Sequence, residues 1–124
     1  MKNIFTYCLI LFSFFIFSFI SIDDVARAIK SGNASQLSKF FDNTIQITFP
    51  DKSNAYSKSQ AELVVQDFFD NNVVKNFEIT GKGDNGGVEI VTGNLLTKNG
   101  EFKTTFYLKQ KGDKQLLQEL RFEK

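Results

Sequence analysis

Residues 44–69 read TIQITFPDKSNAYSKSQAELVVQDFF, and the way this stretch is parsed decides the fold. Ile45, Ile47 and Phe49 alternate with Gln46 and Thr48, which is the two-residue period of a half-buried strand. Pro50 ends the run, because it has no N–H to give to a ladder. The polar residues after it show neither the helical nor the strand period and read as a connector. At its far side Ser57 and Gln60 have N-cap and N3 spacing, while Tyr56 and Ala61 occupy the positions of a hydrophobic staple. A helix therefore starts at Ser57. Its inner face collects Ala61, Val64, Val65 and Phe68, with Phe69 at the margin and Asp67 and Asp70 turned to water.

Working outward, SIDDVARAIKSGN (residues 21–33) predicts a short amphipathic helix with Ile22, Val25, Ala26 and Ile29 inward, ending at Gly32. Asn33 with Gln36 caps a second short helix whose Leu37, Phe40 and Phe41 fall inside. From Lys75 onward the period is two, and strands are expected near 75–82, 88–97, 101–110 and 115–123, an antiparallel meander. Asn99-Gly100 is a strong hairpin signal, and a two-residue turn there pairs Phe102 with Thr97, Thr104 with Leu95 and Phe106 with Gly93. Gly93 would then leave room for the Phe106 ring. Val88 and Ile90 turn inward only if a bulge lies near Thr92-Gly93-Asn94, which is expected. In the last hairpin Leu116, Leu120 and Phe122 share the face of Phe102, Phe106 and Leu108 only with a three-residue loop at 111–113 or an equivalent bulge. Leu117, Glu119, Arg121 and Glu123 would then join Lys103, Thr105, Tyr107 and Lys109 on a solvated face.

The first 21 residues, MKNIFTYCLILFSFFIFSFIS, are of another kind: one Lys, then an apolar run holding six of the 15 Phe. They read as an export signal preceding one domain over 22–124, with an uncleaved membrane anchor as the alternative. The protein is accordingly expected in the periplasm or outside the cell, touching a membrane only through an uncleaved leader. Cys8, the one cysteine, lies inside this leader, so the domain itself has no thiol for redox chemistry or disulfides. The chain has 15 Lys and Arg against 14 Asp and Glu, and without Lys2 the domain is formally neutral. Its basic residues alternate with Glu along the strands instead of clustering, which argues against a nucleic-acid partner.

Histidine is absent, so the commonest general base and, with no thiol in the domain, the usual zinc ligands are missing; no metal site and no cofactor is expected. Gly81-x-Gly83-x-x-Gly86 matches the dinucleotide-binding fingerprint literally, but a strand follows it where that motif needs a helix, so it reads as a hairpin loop. A carboxylate base needs a water-poor pocket to raise its pKa, and only Asp42 and Glu89 are placed to turn inward. Gln118 is expected to face inward opposite Phe106, with Thr104 on the same face, and a buried amide needs partners or a ligand. Gln118, Thr104, Phe106 and the Tyr56 hydroxyl are therefore the candidate ligand-binding groups, weighed against a satisfied core glutamine and a purely structural staple. No residue is assigned a catalytic role.

The order helix, helix, strand, helix, meander resembles the nuclear transport factor 2-like (NTF2-like, or cystatin-like) superfamily. More closely, residues 21–62 and the ending LKQKGDKQLLQELRF (108–122) resemble a family of small exported bacterial proteins known as a domain of unknown function. The resemblance implies an α+β fold in which three helices and one intervening strand pack on a curved antiparallel sheet, forming a cone. Some members of the superfamily use that cone for isomerisation or dehydration of small hydrophobic molecules, others for binding ligands or proteins. Fold alone does not choose among these. The residues favour non-catalytic binding of a small hydrophobic ligand or a protein partner; the alternative is a cofactor-free isomerase or dehydratase. Homodimerisation through the outer sheet face, at Tyr107 and Leu117, is a third expectation.

Overall fold

The computed structural model describes residues 22–124, so the leader read over 1–21, with Cys8, lies outside the described residues. Helix α1 (Ile22–Lys30) has Asp23 and Asp24 in its first turn and Arg27 and Lys30 in its last, charges that suit the helix dipole. It buries Val25, Ala28 and Ile29. Helix α2 (Ala34–Ser38) starts as the sequence requires, the Asn33 side chain accepting a hydrogen bond from the Gln36 N–H at 3.0 Å. Ser38 donates from its hydroxyl to Glu62 Oε1 at 2.7 Å, which fastens α2 to the long helix that follows.

Strand β1 (Phe41–Phe49) buries Ile45, Ile47 and Phe49, the alternation read from the sequence, but begins at Phe41, which was expected on a helix. The connector after it is a strand. Strand β2 (Lys52–Ser57) pairs antiparallel with β1 from Phe49 opposite Lys52 to Thr44 opposite Ser57, so Pro50 and Asp51 are a tight turn. Apart from half-buried Tyr56 every β2 side chain is exposed, and an edge strand wet on both faces leaves no hydrophobic alternation to read. Helix α3 (Lys58–Asn71) is capped by Ser57, whose Oγ accepts from the Gln60 N–H at 3.3 Å. It buries Ala61, Val65, Phe68 and Phe69.

Strands β3 (Val74–Asn85), β4 (Val88–Thr97), β5 (Gly100–Lys111) and β6 (Lys114–Glu123) form the meander. The six strands run in the order β2-β1-β6-β5-β4-β3. All neighbours are antiparallel except β1 and β6, so the sheet is mixed where a wholly antiparallel one was expected. The chain leaves β2 at one edge, crosses through α3 to β3 at the other, and returns strand by strand until β6 lies beside β1. A strand that returns this way meets β1 with the same polarity, which is why the first and last strands pair in parallel.

The registers differ from the expectation in three places. Thr97 pairs with Gly100, so the β4–β5 turn is Lys98-Asn99, and Phe106 faces Val91, not Gly93. No bulge interrupts β4 against β5; β3 instead shifts register twice against β4, once between Val74 and Asn76 and once between Ile79 opposite Gly93 and Gly81 opposite Thr92, which leaves Thr80 as an extra residue beside Gly93. Val88 and Ile90 consequently stay on the outer face, Ile90 beside Tyr107. At the last hairpin the loop is Gly112-Asp113, and the bulge falls at Gln118, between Tyr107 opposite Glu119 and Leu108 opposite Leu117. Leu117 is thereby fully buried and Leu116 faces outward beside Lys109, the reverse of the expected pair.

Gly93 has its own neighbour: a Cβ built there would lie 2.6 Å from both the Glu78 carbonyl oxygen and Phe77 Cζ. The glycine makes room for Phe77, in the adjacent strand β3. At the β3–β4 turn, Gly86 and Gly87 both adopt positive φ (60° and 84°), as a two-residue hairpin of this hand requires. The Gly81–Gly86 match thus lies on a strand and its turn. The inner face, with Phe41, Phe106, Leu108, Leu120 and Phe122 fully enclosed, holds the core beneath the helices.

Candidate functional site

Phenylalanines at one end of the sheet fill the cone and then run out. Phe68 of α3 stacks on Phe122 with ring centroids 4.4 Å apart, meets Phe102 edge-on at 5.2 Å and Phe49 at 5.4 Å. Such offset and T-shaped arrangements place ring edges against ring faces, where the quadrupoles attract. Above Phe49, Phe68 and Phe102 an open cavity of about 590 Å³ remains, walled also by Pro50, Leu63 and Val64. Its rim is polar: Asp51, Lys52, Asp67, Asn71, Asn72 and Lys124. Leu63, on its α3 wall, is 70% exposed, an apolar side chain with too little protein around it to be covered.

The rim is held by local hydrogen bonds. Asn72 ends α3, its backbone N–H and its side-chain amide both donating to the Phe68 carbonyl, at 2.9 and 3.0 Å. Asn99, in the β4–β5 turn, donates from Nδ2 to the Asn71 carbonyl at 2.6 Å and to Asn72 Oδ1 at 3.2 Å. The end of α3 is thereby tied to the turn leading to Phe102. Helix, turn and aromatic floor form one wall, so the cavity is largely preformed.

The candidates read from the sequence lie elsewhere. Thr104 and Phe106 are fully enclosed, with the Thr104 hydroxyl directed to the Phe102 carbonyl at 3.4 Å. Tyr56 is half-buried against the core, its hydroxyl 3.4 Å from Asn54 Nδ2. Gln118, at its bulge, is also half-buried, and its Nε2 donates to Asp42 Oδ2 at 3.3 Å. None of the four lines the cavity. Phe49, Val64, Phe68 and Phe102 of the lining read as inner-face residues in the sequence, whereas Asp51, Lys52 and Leu63 carry no signal of their own.

Asp42, one of the two carboxylates expected to turn inward, is covered by its polar neighbours. It is 6% exposed, and Lys111 Nζ lies 2.7 Å from its Oδ2 while the Asn43 N–H donates to Oδ1 at 2.7 Å. The Lys111 hydrogen bond, more than burial opposes it, holds the Asp42 carboxyl below the ordinary aspartate range, with Asn43 and Gln118 helping. That is the opposite of what a general base requires. Asp42 also stands seven residues from Phe49 along β1, roughly 20 Å at strand rise, so it is remote from the cavity. Glu89 is half-buried and accepts from Gln115 Nε2 at 3.3 Å. Among the described residues no three metal-ligating side chains cluster.

Solved structures show what the chain is similar to. A protein of the DUF4783 family from Bacteroides ovatus is 30% identical, with a TM-score of 0.78 over 82% of this chain and 92% of that one. Another, from Bacteroides uniformis, is 27% identical, with a TM-score of 0.79 over 83% and 95%. An NTF2-like protein of unknown function from Cytophaga hutchinsonii, only 7% identical, has the same fold, with a TM-score of 0.59 over 82% and 83%. No curated protein matches the sequence. The family model described as "Domain of unknown function (DUF4783)" matches residues 22–123, and the chain therefore belongs to this family, built on an NTF2-like α+β fold.

Proposed function

We propose that this domain is a non-catalytic binding module that takes a small apolar molecule into the cavity above Phe49, Phe68 and Phe102. The observation that carries the reading is the cavity itself: about 590 Å³, open, aromatic below and polar at its rim. That volume lies within the range of small-molecule sites, and an apolar floor with a few rim polar groups is their usual composition. Binding is favoured over catalysis because Asp42, the one buried carboxylate among the described residues, is locked to Lys111 at the far end of β1, and the chain has no histidine. The leader supports an exported setting for this activity.

The test is uptake of a neutral apolar fluorophore such as N-phenylnaphthylamine. The expected result is saturable, one-to-one enhancement, weakened several-fold by Leu63→Asp. Because Leu63 is 70% exposed, that change should leave the melting temperature nearly unchanged. Equal enhancement by the wild-type protein and the variant, or none in either, overturns the reading. The same cavity could instead admit an apolar side chain of a protein partner, and failure of the free probe to saturate the site is the outcome that would point there.

A further inference from the structure

The cavity carries a pair of cations whose placement identifies the head of its occupant. Lys52, the first residue of β2, has Nζ 5.7 Å from the centroid of the Phe49 ring. Lys124 follows β6 with Nζ 5.2 Å from the centroid of the Phe102 ring, and donates to the Asn99 carbonyl at 3.3 Å. Phe49 and Phe102 are the two outer rings of the floor, joined through Phe68, so a lysine stands over either end of the aromatic surface. The ion pairs of the described residues are Arg27 with Asp24, Lys111 with Asp42 and Arg121 with Glu119. Asp51 and Asp67 also line the cavity, yet neither forms an ion pair with these lysines.

An ammonium over a ring face is attracted to it, but a ring offers no lone pair to the three N–H donors. An anionic oxygen beside the same ammonium accepts a charge-assisted hydrogen bond, a stronger interaction, and more so where an apolar wall displaces water. The aromatic floor meanwhile accepts an alkyl chain or a ring. From these positions, and resting on the cavity reading above, we infer that the occupant is an anionic amphiphile. Its carboxylate is held by the ammonium at one end of the floor, that of Lys52 or that of Lys124, and its apolar part lies on Phe49, Phe68 and Phe102.

Calorimetric titration of octanoate, octanol and octylamine, each below its micelle concentration, into the domain and into the Lys52→Gln/Lys124→Gln double variant tests the head group separately from the cavity. Octanoate is expected to bind at least ten-fold more tightly than octanol, with the preference weakening as salt is added. In the double variant octanoate should fall to the level of octanol, with the melting temperature of the fold retained. Equal binding of octanoate and octanol by the wild-type protein overturns the head-group assignment while leaving the apolar cavity standing. Tightest binding of octylamine does the same, and would assign the head to Asp51 and Asp67. If none of the three binds, the cavity reading falls and this inference with it.

Discussion

Gly93→Ala puts a methyl group where strands β3 and β4 leave no space for one. The new carbon would lie 2.6 Å from the Glu78 carbonyl oxygen and 2.6 and 2.7 Å from two carbons of the Phe77 ring. Ordinary contacts between carbon atoms are about 3.5–4.0 Å, so both neighbours must retreat by about 1 Å. Phe77 is 7% exposed and has little room to turn, and the carbonyl belongs to the ladder that pairs Glu78 with Asn94. Overpacking of this kind costs about 1–3 kcal/mol, and with backbone among the clashing atoms a value of about 2–3 is expected. Alanine's lower unfolded-state entropy offsets about 0.4–1 of that. The net loss, about 1–2.6 kcal/mol, is a large share of the 5–15 kcal/mol typical of a domain. With a urea m-value of about 1–1.5 kcal/mol/M, the midpoint should fall by about 0.7–2.6 M.

A double-mutant cycle then identifies the neighbour. Phe77→Leu should recover part of the loss in the Gly93→Ala background, leaving the share due to Glu78. Phe106→Leu should only add its own cost, because Phe106 lies opposite Val91 on the other side of β4. Coupling to Phe106 with none to Phe77, or a change in stability below about 0.5 kcal/mol, would refute the register and the packing argument together.

Two further outcomes can be measured on the same footing. Because Asp42 has a lowered pKa in the fold, the folded protein holds its proton less tightly than the unfolded chain does. Its contribution is therefore full above the unfolded aspartate range and fades as the pH falls through the folded value. The stability gap between the wild type and Asp42→Asn, followed by urea titration from about pH 6 to pH 3, should narrow with acid, and a constant gap would count against the Lys111 interaction. Ser57→Ala removes the acceptor for the Gln60 N–H, a 3.3 Å bond, and should cost about 0.5–1 kcal/mol, the lower part of the range for N-caps. Circular dichroism melting would show it, and an unchanged melting temperature would mean that the cap is idle.

The helix caps are local features. Ser57 with Gln60 and Asn33 with Gln36 act within one turn of helix, so their meaning does not depend on distant partners. The inward alternation of Ile45, Ile47 and Phe49 survives for the same reason: a strand with one buried face states its own period. Strand β2 was missed because KSNAYS is wet on both sides and owes its conformation to backbone pairing with β1, which leaves no mark on side-chain choice.

Register belonged to the tertiary structure. One bulge at Gln118 exchanges the roles of Leu116 and Leu117, and one at Thr80 puts the irregularity in β3 instead of at Gly93 in β4; both depend on what the neighbouring strand offers. The site is the extreme case. Lys52 comes from the start of β2, Leu63 and Phe68 from α3, Phe102 from β5 and Lys124 from the residue after β6, so no spacing in the chain could announce them together. The sequence by itself determined where the three helices lie, the caps of α2 and α3, and which chemistries have no residues to perform them, because those are matters of local pattern and composition. Where the phenylalanines stop and the cavity begins was decided only when β6 returned to lie beside β1, since a cavity is a relation among surfaces that the chain brings together last.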